Sequence, residues 1–127
     1  MGKEIIQTEK APSAIGPYSQ AVKVGKTVYL SGQIPIDPVS GNIVANDFKE
    51  QAIQVFKNLK AIVEASGGTL DDLVKVNVYL DDLVFFSEFN EVMQQFLQEP
   101  YPARVTLEVS RLPKDALVEV EAIAVIE

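Results

Sequence analysis

Cysteine, histidine and tryptophan are absent from the 127 residues, and arginine occurs only twice, as Arg104 and Arg111. The lack of cysteine excludes disulfides, thiolate zinc sites and a cysteine nucleophile. The lack of histidine removes the commonest metal ligand and the base of a Ser-His-Asp triad. Acid–base chemistry therefore falls to Asp, Glu, Lys, Tyr, backbone groups or held water. Basic residues are also in deficit: 11 against 18 acidic ones give a net charge of −7. No Lys/Arg cluster offsets this, so a nucleic-acid partner is not expected. No apolar run is long enough to cross a bilayer, and Met1 to Gly16 lacks the continuous apolar core of a signal peptide. The expectation is a cytoplasmic protein without a membrane partner.

What is present suits one compact domain over residues 1–127. Hydrophobic residues make up 47% and charged residues 23%, near the globular average, and no repeat, low-complexity tract or linker divides the chain. Ala21 to Val24 and Thr27 to Ser31 read as two short strands around a Gly25-Lys26 turn. Pro35 to Asn42 is a loop dense in turn formers. Asp47 with Glu50 resembles a capping box, and Phe48, Ala52, Val55, Phe56, Leu59, Ile62 and Val63 then recur at helical spacing. Ser66-Gly67-Gly68 supplies the stop. Val74 to Leu80 alternates, with Val74, Val76, Val78 and Leu80 expected on one face. Phe86, Phe89, Val92, Met93, Phe96 and Leu97 mark a second helix that must end before Pro100.

Two more strands complete the pattern. Ala103, Val105, Leu107 and Val109 oppose Arg104, Thr106, Glu108 and Ser110. Val118, Val120, Ala122 and Ala124 oppose Leu117, Glu119, Glu121, Ile123 and Val125. The order predicts an α+β fold in which two helices cover one face of a mixed, mainly antiparallel sheet. The other face is expected to combine Tyr29, Ser31, Tyr79, Arg104, Thr106, Glu121, Ile123 and Val125. Such a face is too apolar for water and too charged for a sealed core, which points to a subunit interface with a polar site set into it.

Arg104 is the first candidate, because its rigid fork can hold a planar carboxylate through two parallel hydrogen bonds. An ion pair with Glu108 or Glu121 across the sheet is the commoner use of such a residue. Glu121, followed on its face by Ile123 and Val125, is either a partly desolvated acid–base group or a cross-strand charge partner. Tyr18 and Ser31-Gly32 stand at loop positions able to face a ligand, although turn chemistry alone explains both. Asn90 is a poor helix former inside the second helix, at a solvent-facing position or in a site. The pairs Asp71-Asp72 and Asp81-Asp82 read as solvated turn residues, and no metal site is expected. Gly67-Gly68-Thr69 lacks the spacing and Lys of a phosphate loop.

Three stretches, AIGPYSQA from Ala14, SGQIP from Ser31 and PARVTLEVSRLPKDALVEVEAIAV from Pro102, resemble the RidA (YjgF) family of reactive-intermediate deaminases. The match spans nearly the whole chain and is most specific from Pro102 to Glu121. The resemblance implies a chorismate-mutase-like fold and a homotrimer with three clefts between subunits. It also implies cofactor-free hydrolysis of 2-imino or enamine acids, such as 2-iminobutanoate and 2-iminopropanoate, to 2-keto acids and ammonia. Arg104 would then clamp the ligand carboxylate beside the Gly32 backbone. Tyr18, Ser31, Asn90 and Glu121 would line the cleft, with Glu121 handling the attacking water. Thr106 stands where the family often has Cys; its carbonyl can still serve the ligand, but no thiol switch is available there. Two other functions stay open: a sensor or chaperone that binds small carboxylates, and a single-strand endoribonuclease.

Overall fold

The computed structural model describes residues 2–127. Helix α1 spans Phe48–Ala65 and begins as its sequence dictates. The Asp47 carboxylate accepts the Glu50 N–H at 3.0 Å, satisfying one of the donors that a helix start leaves free. At its other end Gly67 takes a φ of +97°, a conformation that stops the helix and favours glycine. All seven residues of the helical apolar stripe are buried. Helix α2 spans Phe86–Phe96 and turns Phe89, Val92 and Met93 inward. Phe56 of α1 packs against Phe89 and Phe96 of α2, with ring centroids 5.6 and 5.3 Å apart. This aromatic contact locks the helices together.

Six strands form one sheet: β1 (Glu4–Ile6), β2 (Ala21–Val24), β3 (Thr27–Gln33), β4 (Leu73–Leu80), β5 (Ala103–Glu108) and β6 (Val118–Val125). Their spatial order is β1-β2-β3-β6-β4-β5. Only the β4–β5 pair is parallel, as the intervening α2 crossover requires. The helix-covered face is built from matched apolar pairs, among them Val28 with Ala124, Leu30 with Ala122, Val76 with Ala122 and Val78 with Val120. Strand β1 is not evident in the sequence, because three residues are too few to show a period.

Two expected faces are corrected by the structure. A register irregularity between Leu73 and Lys75 turns Leu73 into the core and leaves Val74 45% exposed, so Val74 does not share the inward row with Val76, Val78 and Leu80. Strand β5 is reversed with respect to expectation. Arg104 lies level with the buried Val76, and Thr106 with the buried Val78. In a parallel pair, level residues share a face, so Arg104 and Thr106 point to the helix side. They do not join Tyr29, Tyr79, Glu121, Ile123 and Val125 on the open face. Val105 and Leu107, from the row expected to be core, are exposed there instead.

Candidate active site

The Arg104 side chain lies half-buried between sheet and α2. Its guanidinium carbon stands 5.3 Å from the Phe86 ring centroid and 5.6 Å from that of Phe89, and one terminal nitrogen is 3.5 Å from the Met93 sulfur. Phe89 is itself fixed by Phe56, so the cation rests on an anchored aromatic shelf. Burial moves the Arg104 pKa down from its usual value. Among the described residues no carboxylate pairs with it: the ion pairs found are Lys26 with Glu127 and Arg111 with Asp115. Both expected alternatives are otherwise engaged. Glu108 accepts the Leu83 N–H at 2.9 Å, and Glu121 accepts the Tyr79 hydroxyl. A cavity of about 320 Å³ opens over Arg104, lined also by Asn90, Met93, Gln94, Tyr101 and Pro102. Asn90 is thus a cavity residue. On the same face, the Thr106 hydroxyl is buried without a hydrogen-bond partner.

A second cavity, of about 360 Å³, brings together Ile15, Tyr18, Ser31, Gly32, Ile34, Pro113 and Glu119. The β3 register shifts between Leu30 and Gln33, so that Gln33 is buried and Ser31-Gly32 bulges out of the ladder. The Ser31 N–H donates to the Gln20 carbonyl at 2.9 Å and its hydroxyl to the Ser19 carbonyl. Gln20 is buried; its amide donates to the carbonyls of Thr8 and Pro12 at 3.0 and 2.7 Å and accepts the Thr8 N–H at 2.7 Å. These bonds pin the loop that carries Tyr18. Gly32 leaves room for Glu119: a Cβ there would overlap a Glu119 carboxylate oxygen and lie 3.1 Å from its Cδ, so the Glu119 side chain would have to move aside. Glu119 therefore occupies the place of the missing side chain. Burial, then the charge of Glu121, raises the Glu119 pKa above the ordinary carboxylate value.

The structure thus brings Tyr18, Ser31 and Gly32 into one group and Arg104 and Asn90 into another. Glu121 is in neither cavity; its carboxylate is held by Tyr79. Glu119, which the sequence reading passed over, takes the position beside Gly32. Both glutamates lie on the same row of β6, and nothing in the alternation distinguishes them. The discriminating signal is the bulge at Ser31-Gly32, which brings the first glutamate and not the second against glycine. No group of three or more Asp or Glu side chains arranged to hold a metal occurs among the described residues.

Residues 8–126 match the profile of a family described as endoribonuclease L-PSP. The chain belongs to this family, the RidA (YjgF) proteins. It is 59% identical over 124 residues to a RutC family protein of Pyrococcus abyssi, covering 98% of each chain. It is 51% identical to the 2-iminobutanoate/2-iminopropanoate deaminase of Dermatophagoides farinae, again covering 98% of each. Among solved structures, RidA from an Antarctic Psychrobacter superposes with a TM-score of 0.94 at 55% identity, covering 97% of this chain and 99% of that one. Escherichia coli TdcF with bound serine superposes with a TM-score of 0.93 at 47% identity, covering 98% and 99%. The RidA fold, a single α+β domain with a mixed sheet and two helices, is therefore that of this chain.

Proposed function

We propose that this protein hydrolyses small 2-imino acids to 2-keto acids and ammonia without a cofactor, in sites completed between copies of the chain. The observation that carries this reading is Arg104: a half-buried guanidinium on an aromatic shelf, facing a cavity, with no carboxylate partner of its own. Such a cation calls for an anion from outside, and a planar carboxylate fits its fork. The deaminase relatives and the serine bound in TdcF support a ligand of amino-acid size.

One copy alone cannot bring both halves to so small a ligand. Arg104 lies on edge strand β5, facing the helices, whereas Glu119 lies two strands away on β6, in the row of the opposite face. That separation is about 10 Å in the hydrogen-bonding direction alone. The exposed Tyr29, Val105 and Leu107 on the open face supply an apolar surface for a second copy. The two halves are different surfaces, so their contact is head-to-tail, and such contacts form a ring when the rotation between copies closes. A homotrimer with three clefts is the ring we propose, each cleft pairing Arg104 and Asn90 of one copy with Tyr18, Ser31, Gly32 and Glu119 of the next.

In that cleft Arg104 holds the ligand carboxylate and the Gly32 backbone abuts it. The adjacent imine carbon is already electrophilic, so positioning and charge complementarity supply the acceleration. Glu119, with its raised pKa, is suited to exchanging protons with water and with the leaving nitrogen. Thr106 offers a carbonyl and an unpartnered hydroxyl on the Arg104 side. The sensor reading shares the Arg104 site but gives Glu119 no task. The net charge of −7 disfavours a ribonuclease, which must attract phosphates.

The test couples the protein to a pyridoxal-phosphate threonine dehydratase and traps free imine with semicarbazide. Wild type is expected to lower semicarbazone formation, and Arg104→Ala is not. Equal trapping with and without wild type would leave a small-carboxylate binder as the better account.

A further inference from the structure

Three polar groups stand together on the open face, and only two of them bond to each other. Tyr79 lies directly opposite Glu119 in the β4–β6 ladder. Its hydroxyl nevertheless passes by Glu119 and donates to Glu121, the next residue of that row. The described residues supply no side-chain donor to Glu119, whose surroundings are burial and the neighbouring Glu121 carboxylate. Two carboxylates on one strand face are about 7 Å apart at Cβ, near enough for one charge to oppose the other. The Tyr79 O–H is thus committed to Glu121 and leaves Glu119 without it.

We propose that Tyr79 and Glu121 act as a positioning pair that biases Glu119 toward its protonated form. The inference rests on the reading of Glu119 as the group that handles protons for hydrolysis. The other groups around Glu119 do not cancel the effect. On β3 its neighbours Ser31 and Gly32 are neutral. On β4, Asn77 faces Glu121 and Lys75 faces Ile123, farther along the row. Tyr18 and Pro113 close the cavity from the loops, and Asp115, beyond Pro113, is paired with Arg111. In the assembled cleft Arg104 of the next copy also approaches and favours the Glu119 carboxylate until the ligand carboxylate neutralises it, but it acts alike in wild type and in the Glu121 variants.

A protonated Glu119 makes the reaction cycle close. It gives its proton to a neutral imine nitrogen, and the resulting carboxylate takes a proton from water as the water oxygen bonds to the imine carbon. The regenerated acid then protonates the carbinolamine nitrogen. As the C–N bond breaks, ammonia leaves, the C=O bond forms, and the hydroxyl proton returns to Glu119. Imine plus water has become ketone plus ammonia, with the acid restored.

The test titrates protein carrying ¹³C-carboxyl glutamate, an experiment that needs no turnover. In Glu121→Gln the amide oxygen still accepts the Tyr79 bond while the charge is gone, so the Glu119 midpoint is expected to fall by about one pH unit. Glu121→Asp keeps the charge and should return most of that shift. In parallel, the alkaline limb of kcat/KM moves down by the same amount, roughly a tenfold loss at a pH on that limb. A Glu119 midpoint that stays or rises in Glu121→Gln overturns the pair. If the midpoint falls as expected but wild type hydrolyses no imine, the electrostatic pair stands and the deaminase reading is what fails.

Discussion

The two cavities differ in how each manages charge. Around Arg104 a cation is set on Phe86, Phe89 and Met93, and among the described residues no anion of the same copy answers it. Around Glu119 an anion-forming group is set against glycine, with a second carboxylate nearby and, among the described residues, no cation answering it. Each half is electrostatically incomplete in one copy, and the two deficits have opposite sign. A ligand carrying a carboxylate next to a protonatable nitrogen is complementary to both, which is why a site this spare can be selective.

Removing the cation should have the largest effect. Arg104→Ala is expected to lower kcat/KM by about 100-fold or more, since a charge-assisted bidentate contact is lost in a partly desolvated site. Arg104→Lys should recover only part of this, because a point charge lacks the planar fork. Both are read from initial rates of imine consumption. A variant retaining wild-type kcat/KM would remove Arg104 from the site. On the other side, Gly32→Ala tests the carboxylate without deleting it. The new Cβ must displace the flexible end of Glu119, so a fall in kcat of about tenfold is expected with little change in melting temperature. An unchanged kcat would show that the position of the Glu119 carboxylate does not matter.

The comparison is sharpest when the halves are placed on different chains. Arg104→Ala and Glu119→Gln, each expected to be strongly impaired alone, are to be unfolded together and reassembled in equal amounts. If each cleft draws one half from each of two copies, about a quarter of clefts inherit both intact halves, from random assortment in a cyclic ring. Activity near that fraction is the expected result. No recovery from mixed assemblies, verified as mixed by native mass spectrometry, would place both halves of a working site in one chain.

The uneven legibility of the sequence follows the same division. Helix α1 is legible to its ends, because its cap, stripe and stop are local signals that agree. In β6 the inward row of Val118, Val120, Ala122 and Ala124 is fully buried, again as the alternation implies. Strand β5 is different. Its rows are as regular as those of β6, yet the apolar one faces away from the core, since alternation separates two rows without saying which is inward. An apolar row is inward only when the core belongs to the same chain, and Val105 and Leu107 lie on the surface that we assign to a second copy. Val74 misleads for another reason: one irregularity in the ladder transfers its expected place to Leu73, and nothing in LVKVNVYL marks that step. Tyr18, Ser31, Gly32 and Asn90 all line cavities. The distinction between Glu119 and Glu121 depended on a bulge in another strand, a non-local feature.

The smallest effect concerns Thr106, on the Arg104 half. Its hydroxyl is buried on the helix side of the sheet without a hydrogen-bond partner, and leaving such a group unsatisfied costs on the order of 1 kcal/mol or more. Valine has nearly the same shape and removes the polar atom. Thr106→Val should therefore raise the unfolding free energy by about 1 kcal/mol, read from denaturant midpoints at unchanged m-value. If the hydroxyl is kept because it meets the ligand, the same variant loses affinity for 2-ketobutyrate while gaining stability. A variant that is more stable and binds equally well would show that only the backbone carbonyl of residue 106 is needed. A variant that is less stable would mean that a water already satisfies the hydroxyl.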